Sequence, residues 1–205
     1  MRSFFARRNE QTTNSWQLWQ NRLFASPSPA EAKLGTLARH SFPSATWIET
    51  GTWKGDTTAF LAKEGGHVFT IEPDENHFAN AHHRFSTTAN VSCVKGTSEE
   101  VLETVLQSAN SATVNFWLDG HFSGKNTFQG PADTPIEFEL GVIAASRQTT
   151  PNVAIFIDDV RCFVSPEPDY ASYPSLDFLV DYARSQNLAW TIEHDIFIAK
   201  SRAVV

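Results

Sequence analysis

Two acidic motifs in this 205-residue chain have the residue types and spacing to handle a cation and a proton. Leu118-Asp119-Gly120-His121 follows the apolar run Val114 to Trp117, and Asp158-Asp159 follows the apolar run Val153 to Ile157. Neighbouring strands of a parallel sheet lie ~4.8 Å apart, so Asp119, Asp158 and Asp159 can converge on one point at the carboxyl ends of two such strands. Three carboxylates that close repel and raise one another's proton affinity unless a cation neutralises them. Oxygen-only ligands favour a hard divalent ion, magnesium or manganese, with water and substrate completing the octahedron. His121, with an unperturbed pKa of ~6.5, is a competent proton acceptor near neutral pH. Each motif also has a plainer reading, since Asp-Gly is ordinary turn chemistry and a double aspartate after a strand can cap the next element.

A second constellation is Glu49-Thr50-Gly51-Thr52-Trp53-Lys54-Gly55-Asp56-Thr57-Thr58. Gly51 and Gly55 permit a tight turn and close approach of a ligand to the backbone, and the helix start behind them supplies N–H groups. The stretch is not Gly-x-Gly-x-x-Gly, because Thr52 and Trp53 stand where the close-set glycines belong, and it lacks the Gly-Lys-Ser/Thr ending of a P-loop. Glu72 ends the next apolar run, about 20 residues after the glycines, where a carboxylate can accept both ribose hydroxyl protons. Together these residues point to a nucleoside whose other end need not be a diphosphate.

The elements that must position these residues follow from periodicity. Runs rich in β-branched and aromatic residues predict strands over Thr46 to Thr50, His67 to Glu72, Val91 to Lys95, Val114 to Leu118 and Val153 to Ile157. Helical patterns between them cover Thr57 to Glu64, Glu75 to Phe85, Glu99 to Gln107 and Pro135 to Arg147. Two of these open on capping-box patterns, Thr97-Ser98-Glu99-Glu100 and Thr134-Pro135-Ile136-Glu137, the latter with proline at the first helical position. A last helix, Leu176 to Ser185, leads into Leu188 to Ile192, then Glu193-His194-Asp195, then Ile196 to Ala199. So short a connector makes an antiparallel hairpin and not a parallel crossover. The expected fold is a Rossmann-like α/β domain: seven strands, mostly parallel with the last antiparallel, and helices on both faces. Residues 1–42, with Trp16, Trp19 and Leu23 at helical spacing and a second pattern from Ala30 to Arg39, read as an N-terminal helical cover on a core of 43–205. The polar segments His121 to Asp133 and Phe163 to Pro174 follow the fourth and fifth strands, at the edge where open α/β sheets bind ligands. There Ser123, Lys125, Asn126, Arg161 and Tyr170 could meet a polar acceptor or simply face solvent.

In these motifs and in the reversed last strand, the chain resembles the class I S-adenosylmethionine-dependent methyltransferases over roughly residues 45–200. An acid-x-Gly-x-x-x-Gly loop and an acid ending the second strand hold the cofactor in that family. The resemblance implies a cofactor site from Glu49, Gly51, Thr52, Gly55, Thr57, Glu72, Thr97, Ser98 and Asp119. Glu49 and Gly51 would lie near the methionine amino group, Glu72 would bind the ribose, and Gly96-Thr97-Ser98 would border the adenine. Asp119-Gly120-His121 with Asp158-Asp159 is similar to the metal-dependent, macrocin-type O-methyltransferases, which keep Leu-Asp-Gly-Asp and Asp-Asp at these places around magnesium. His121 departs from that pattern by replacing the second acid, the general base of those enzymes. The implied mechanism has Asp119, Asp158 and Asp159 holding Mg2+ or Mn2+, which acidifies an acceptor hydroxyl, and His121 removing its proton. His121 could instead ligate the metal, bind substrate, or act in an enzyme that uses no metal.

Composition narrows the partners. Net charge is −7, and the basic residues form no cluster beyond Arg7-Arg8, which argues against nucleic acid and against an anionic membrane. The two cysteines, Cys93 and Cys162, give neither a disulfide framework nor a zinc spacing, and the opening residues lack a signal-peptide core. A cytoplasmic protein with a small hydroxyl-bearing substrate, a sugar or a catechol-like diol, is the expectation. The aromatic N-terminal helix could serve as a lid or as the face of a homodimer. Two other readings stand beside the methyltransferase: an NAD-dependent oxidoreductase, which lacks the glycine fingerprint, and a non-catalytic S-adenosylmethionine-binding module.

Overall fold

A computed structural model describes residues 15–120 and 134–202. The β-branched and aromatic runs become β1 (Thr46–Thr50), β2 (Val68–Glu72), β3 (Val91–Lys95), β4 (Thr113–Leu118) and β5 (Asn152–Ile157), with a closing pair β6 (Leu188–Glu193) and β7 (Ile196–Ser201). They pair in the order β3-β2-β1-β4-β5-β7-β6, parallel from β3 to β5, with β7 antiparallel to both of its neighbours. The register sets Thr50 beside Leu118 and Leu118 beside Ile157, so the residues just past each strand end, Gly51, Asp119 and Asp158, emerge side by side.

Helices cover both faces: α1 (residues 15–21), α2 (Ala30–His40), α3 (Asp56–Leu61), α4 (Glu75–Arg84), α5 (Ser98–Ala109), α6 (Ile136–Ala145) and α7 (Leu176–Ser185). The central strands are buried on both sides, which explains their near-continuous apolar sequence. Alternate residues feed two cores. Ile48, Phe116 and Ile155 pack with Leu102, Leu140 and Leu179, while Trp47, Trp117 and Phe156 pack with Leu37 of α2 and Leu61 of α3. α2 is thus built into the second core.

Local chemistry sets the element ends. The capping box at Thr97 and Glu100 is present in full. At α6 the cap shifts by one: Pro135 is itself the N-cap, with Thr134 Oγ1 accepting from the Ile136 N–H at 3.4 Å. Proline has no N–H to lose at either position, so both settings are open to it. α3 stops at Leu61, short of the expected Glu64, because the chain must pass close to β1: a Cβ on Gly66 would sit 1.8 Å from the Ala45 carbonyl oxygen. The β6–β7 connection is a two-residue turn with His194 and Asp195 both at positive φ, 51° and 68°, the arrangement whose twist matches paired strands. Among the described residues, no helix is long and apolar enough to cross a membrane.

Candidate active site at the carboxyl edge of the sheet

The loop after β1 is built around buried acids. Glu49 is fully buried; its Oε2 accepts from the Thr58 hydroxyl, and its Oε1 has no hydrogen-bond partner among the described residues. Burial pushes the Glu49 carboxyl up to about 7, opposed by the hydrogen bond from Thr58 and assisted by the charge of Glu72. Gly51, at φ +89°, passes so near β4 that a Cβ would lie 2.6 Å from the Asp119 carbonyl oxygen. Gly51→Ala therefore combines a left-handed backbone with a backbone clash, and about 1–3 kcal/mol of stability should be lost in urea unfolding. An unchanged midpoint would show that the loop can move aside. Glu72 holds the loop from the other side, Oε2 accepting from the Trp53 N–H (2.7 Å) and Oε1 from the Asp74 N–H (3.0 Å). Thr52 and Thr70 share a hydroxyl hydrogen bond of 2.5 Å. The Gly96 N–H donates to the Glu72 carbonyl, which brings Gly96-Thr97-Ser98 to the same edge.

Beyond β4 and β5 lies a chain of ion pairs. Asp159 takes a left-handed conformation (φ 56°), and its N–H donates to Asp158 Oδ1 at 2.8 Å, which turns both carboxylates to one place. Lys33, reaching from α2, lies 2.6 Å from Asp158 Oδ1, 2.7 Å from Asp158 Oδ2 and 2.8 Å from Asp159 Oδ1. Arg161 grips Asp159 in a two-pronged pair, Nη1 to Oδ1 at 2.6 Å and Nη2 to Oδ2 at 2.8 Å. The same guanidinium donates to Asp195 Oδ2, and the Arg161 N–H donates to Asp195 Oδ1 at 3.0 Å. Burial and the nearby Asp119 charge raise the proton affinity of Asp158, with Lys33 opposing them. Burial pulls the Lys33 ammonium down, but Asp158 and Asp159 outweigh it and hold Lys33 above its usual range. Facing two acids, the ammonium keeps its proton.

The fold has counterparts among known structures. A putative caffeoyl-CoA O-methyltransferase from Staphylococcus aureus aligns with a TM-score of 0.57 at 12% identity, covering 97% of this chain and 98% of its own. The O-methyltransferase TomG from Streptomyces achromogenes, determined in complex with SAM, aligns with a TM-score of 0.52 at 15% identity, covering 92% and 87%. The chain has the Rossmann-like methyltransferase fold. A third structure, EvdMO1, covers 84% of this chain at 12% identity and a TM-score of 0.49, and this chain spans 40% of its length. No protein-family model matches the sequence. No curated protein matches it significantly either.

Within this methyltransferase fold, Glu49, Gly51, Thr52, Gly55, Glu72, Thr97, Ser98, Asp119, Asp158 and Asp159 all lie at the carboxyl edge. One expected cofactor contact, Thr97, has a structural duty as the cap of α5, and Thr58, one residue past the expected Thr57, bonds Glu49. Arg161, expected in a polar loop, is instead committed to Asp159 and Asp195. His121 lies outside the described residues, as do Ser123, Lys125 and Asn126. Lys33 and Asp195 were missed. Lys33 had one signal: it stands four residues before buried Leu37, on the inward stripe of α2, where a charge needs a partner.

The expected magnesium or manganese does not fit this donor set. Every oxygen of Asp158 and Asp159 already accepts from Lys33 or Arg161, and Asp158 Oδ1 takes the Asp159 N–H as well. Among the described residues, no group of three or more His, Cys, Asp or Glu side chains is arranged to hold a metal. Next to the ion pairs is a cleft of about 470 Å³ lined by Trp19, Phe24, Ser26, Ser28, His194 and Asp195. Its walls come from the N-terminal cover and the β6–β7 turn, so it opens beside Asp195 and the Arg161 bridge.

Proposed function

We propose that this protein is an S-adenosylmethionine-dependent methyltransferase that methylates a hydroxyl of a small polyhydroxylated acceptor, a sugar or a catechol-like diol. The observation that carries the reading is the pair of buried acids flanking the Gly51–Gly55 turn. Glu49 Oε1 is a buried acceptor with no partner among the described residues, suited to an ammonium donor such as the methionine amino group. Each Glu72 oxygen has one backbone N–H and two lone-pair directions, so each can accept one more hydrogen, as from two adjacent ribose hydroxyls. When bound, S-adenosylmethionine supplies an electrophilic methyl group. The chain's part is to hold the acceptor oxygen in line, exclude water and accept the hydroxyl proton. His121 is the proposed proton acceptor on its sequence position after Asp119. The cleft lined by Trp19, Phe24 and His194 is of a volume suited to a small acceptor, with aromatic walls and Asp195 as a polar anchor.

Calorimetric titration with S-adenosylmethionine and S-adenosylhomocysteine tests the reading. Micromolar binding of both, with competition between them, is expected. Heat with NADH and none with either would return the fold to oxidoreductase chemistry. Glu72→Ala should weaken S-adenosylmethionine by about 1.5–3 kcal/mol, the worth of a hydrogen bond to a charged group, or ~10- to 100-fold in Kd. Equal affinity in that variant would remove Glu72 from the site.

A further inference from the structure

We infer that Lys33 is the resident cation of the Asp158-Asp159 pair, standing where a divalent metal would otherwise sit, and that α2 thereby supplies the pair with a counter-charge that is not a metal. The inference rests on the methyltransferase reading only in calling this pair part of an active site; the claim about the cation stands on geometry. Three distances define it: the Lys33 ammonium is 2.6 to 2.8 Å from both oxygens of Asp158 and from one oxygen of Asp159. The remaining oxygen, Asp159 Oδ2, takes the Arg161 guanidinium. A divalent ion binding these oxygens would have to expel one cation and lie beside another, at a Coulomb cost that burial makes larger than in water.

Lys33 is held at this place by the helix that carries it. α2 buries Ala32, Thr36 and Leu37, and Leu37 packs in the second core. At its far end Arg39 and His40 both engage Glu193 beside the β6–β7 turn, His40 at 2.8 Å. The lysine is therefore positioned by the buried face and the anchored carboxyl end of its helix and keeps its side chain only 15% exposed. Arg161 is fixed in the same way by Asp195. Two cations, from two separate elements, face the Asp158-Asp159 pair. Lys33 is a positioning residue here: it sets the direction and charge of Asp158 and Asp159.

Manganese titration of the full chain, followed by the electron paramagnetic resonance of the aquo ion, tests this. Wild-type protein is expected to leave the aquo-ion signal undiminished at millimolar metal. Lys33→Ala, with the cation removed, is expected to take up one manganese per chain, and millimolar magnesium should raise the thermal midpoint of that variant and not of wild type. The thermal readout remains usable if the variant is only marginally folded, because a bound ion stabilises the folded state. One manganese bound tightly to wild type would overturn the inference. So would a Lys33→Ala protein that neither takes up manganese nor gains stability from magnesium, because the carboxylates would then not be a cation site. Titrating S-adenosylmethionine into the same wild-type sample separates the two claims. No cofactor binding alongside the expected manganese results removes the methyltransferase and leaves the lysine's role. Cofactor binding together with tight manganese binding does the reverse.

Discussion

In alkaline buffer, where Asp158 is ionised despite its raised proton affinity, Lys33→Met should lower the stability of the folded chain by about 3–5 kcal/mol, the loss seen when one partner of a buried ion pair is removed and the other is left behind. For a chain of this size that is a fall of roughly 6–20 °C in the thermal midpoint. Methionine keeps the unbranched apolar stem of lysine and drops the ammonium, so the change acts chiefly on the charge. The abandoned groups are Asp158, 6% exposed, and Asp159, 8% exposed, with Asp119 close enough to raise Asp158 further. Arg161 still neutralises Asp159, so the deficit falls mainly on Asp158. Two corollaries make the assignment specific. The deficit should shrink as pH falls, because protonating Asp158 removes the charge that lost its partner. Adding Asp158→Asn to Lys33→Met should recover much of the loss, a coupling that a double-mutant cycle measures directly. Additive effects of the two substitutions would show that Lys33 and Asp158 do not support one another.

The sequence carried most of the fold because burial writes itself locally. β4 and β5 are covered on both faces, so Val114-Asn115-Phe116-Trp117-Leu118 and Val153 to Ile157 read as strands without alternation. The reversed β7 followed from a connector too short for a crossover, and the Thr97 capping box from spacing alone. Glu49, Gly51, Glu72 and the three aspartates were legible for the same reason: each sits at the end of a strand whose position the pattern set. What the pattern could not supply was the counter-charge. Lys33 and Asp158 are 125 residues apart, and Arg161 and Asp195 are 34 apart, so no local spacing links them. Three converging carboxylates demand a cation, and a demand for positive charge does not distinguish a metal from a lysine on a distant helix. The same blindness hid the acid partner of His40, since Glu193 lies 153 residues away.

Stability should fall as pH rises from about 4.5 to about 7, and Glu49 should account for up to about 3 kcal/mol of the fall. The sign follows from where the proton resides. In the folded chain burial pushes the Glu49 carboxyl up to about 7, against an ordinary value of 4.5, so between those pH values the folded state holds a proton that the unfolded state has released. Stability then declines with pH across the window; Glu49's contribution is complete below 4.5 and gone above 7. Asp158 is shifted in the same direction by its own burial, so the slope of wild type alone does not isolate Glu49. Comparison with Glu49→Gln does. Glutamine preserves an oxygen for the Thr58 hydroxyl and cannot ionise, so that variant should lose the Glu49 share of the slope and exceed wild type at pH 8. Parallel slopes for the two proteins in urea unfolding would refute the account. The same raised affinity joins stability to ligand binding. An ammonium group donating to Glu49 Oε1 favours the ionised carboxylate, so a cofactor that binds there must displace the proton Glu49 carries below pH 7. Binding heats of S-adenosylmethionine measured near pH 6 in buffers of different ionisation enthalpy should therefore reveal proton release by wild type and less of it by Glu49→Gln. Equal release by both would place the cofactor's amino group elsewhere and leave Glu49 as a residue of the fold alone.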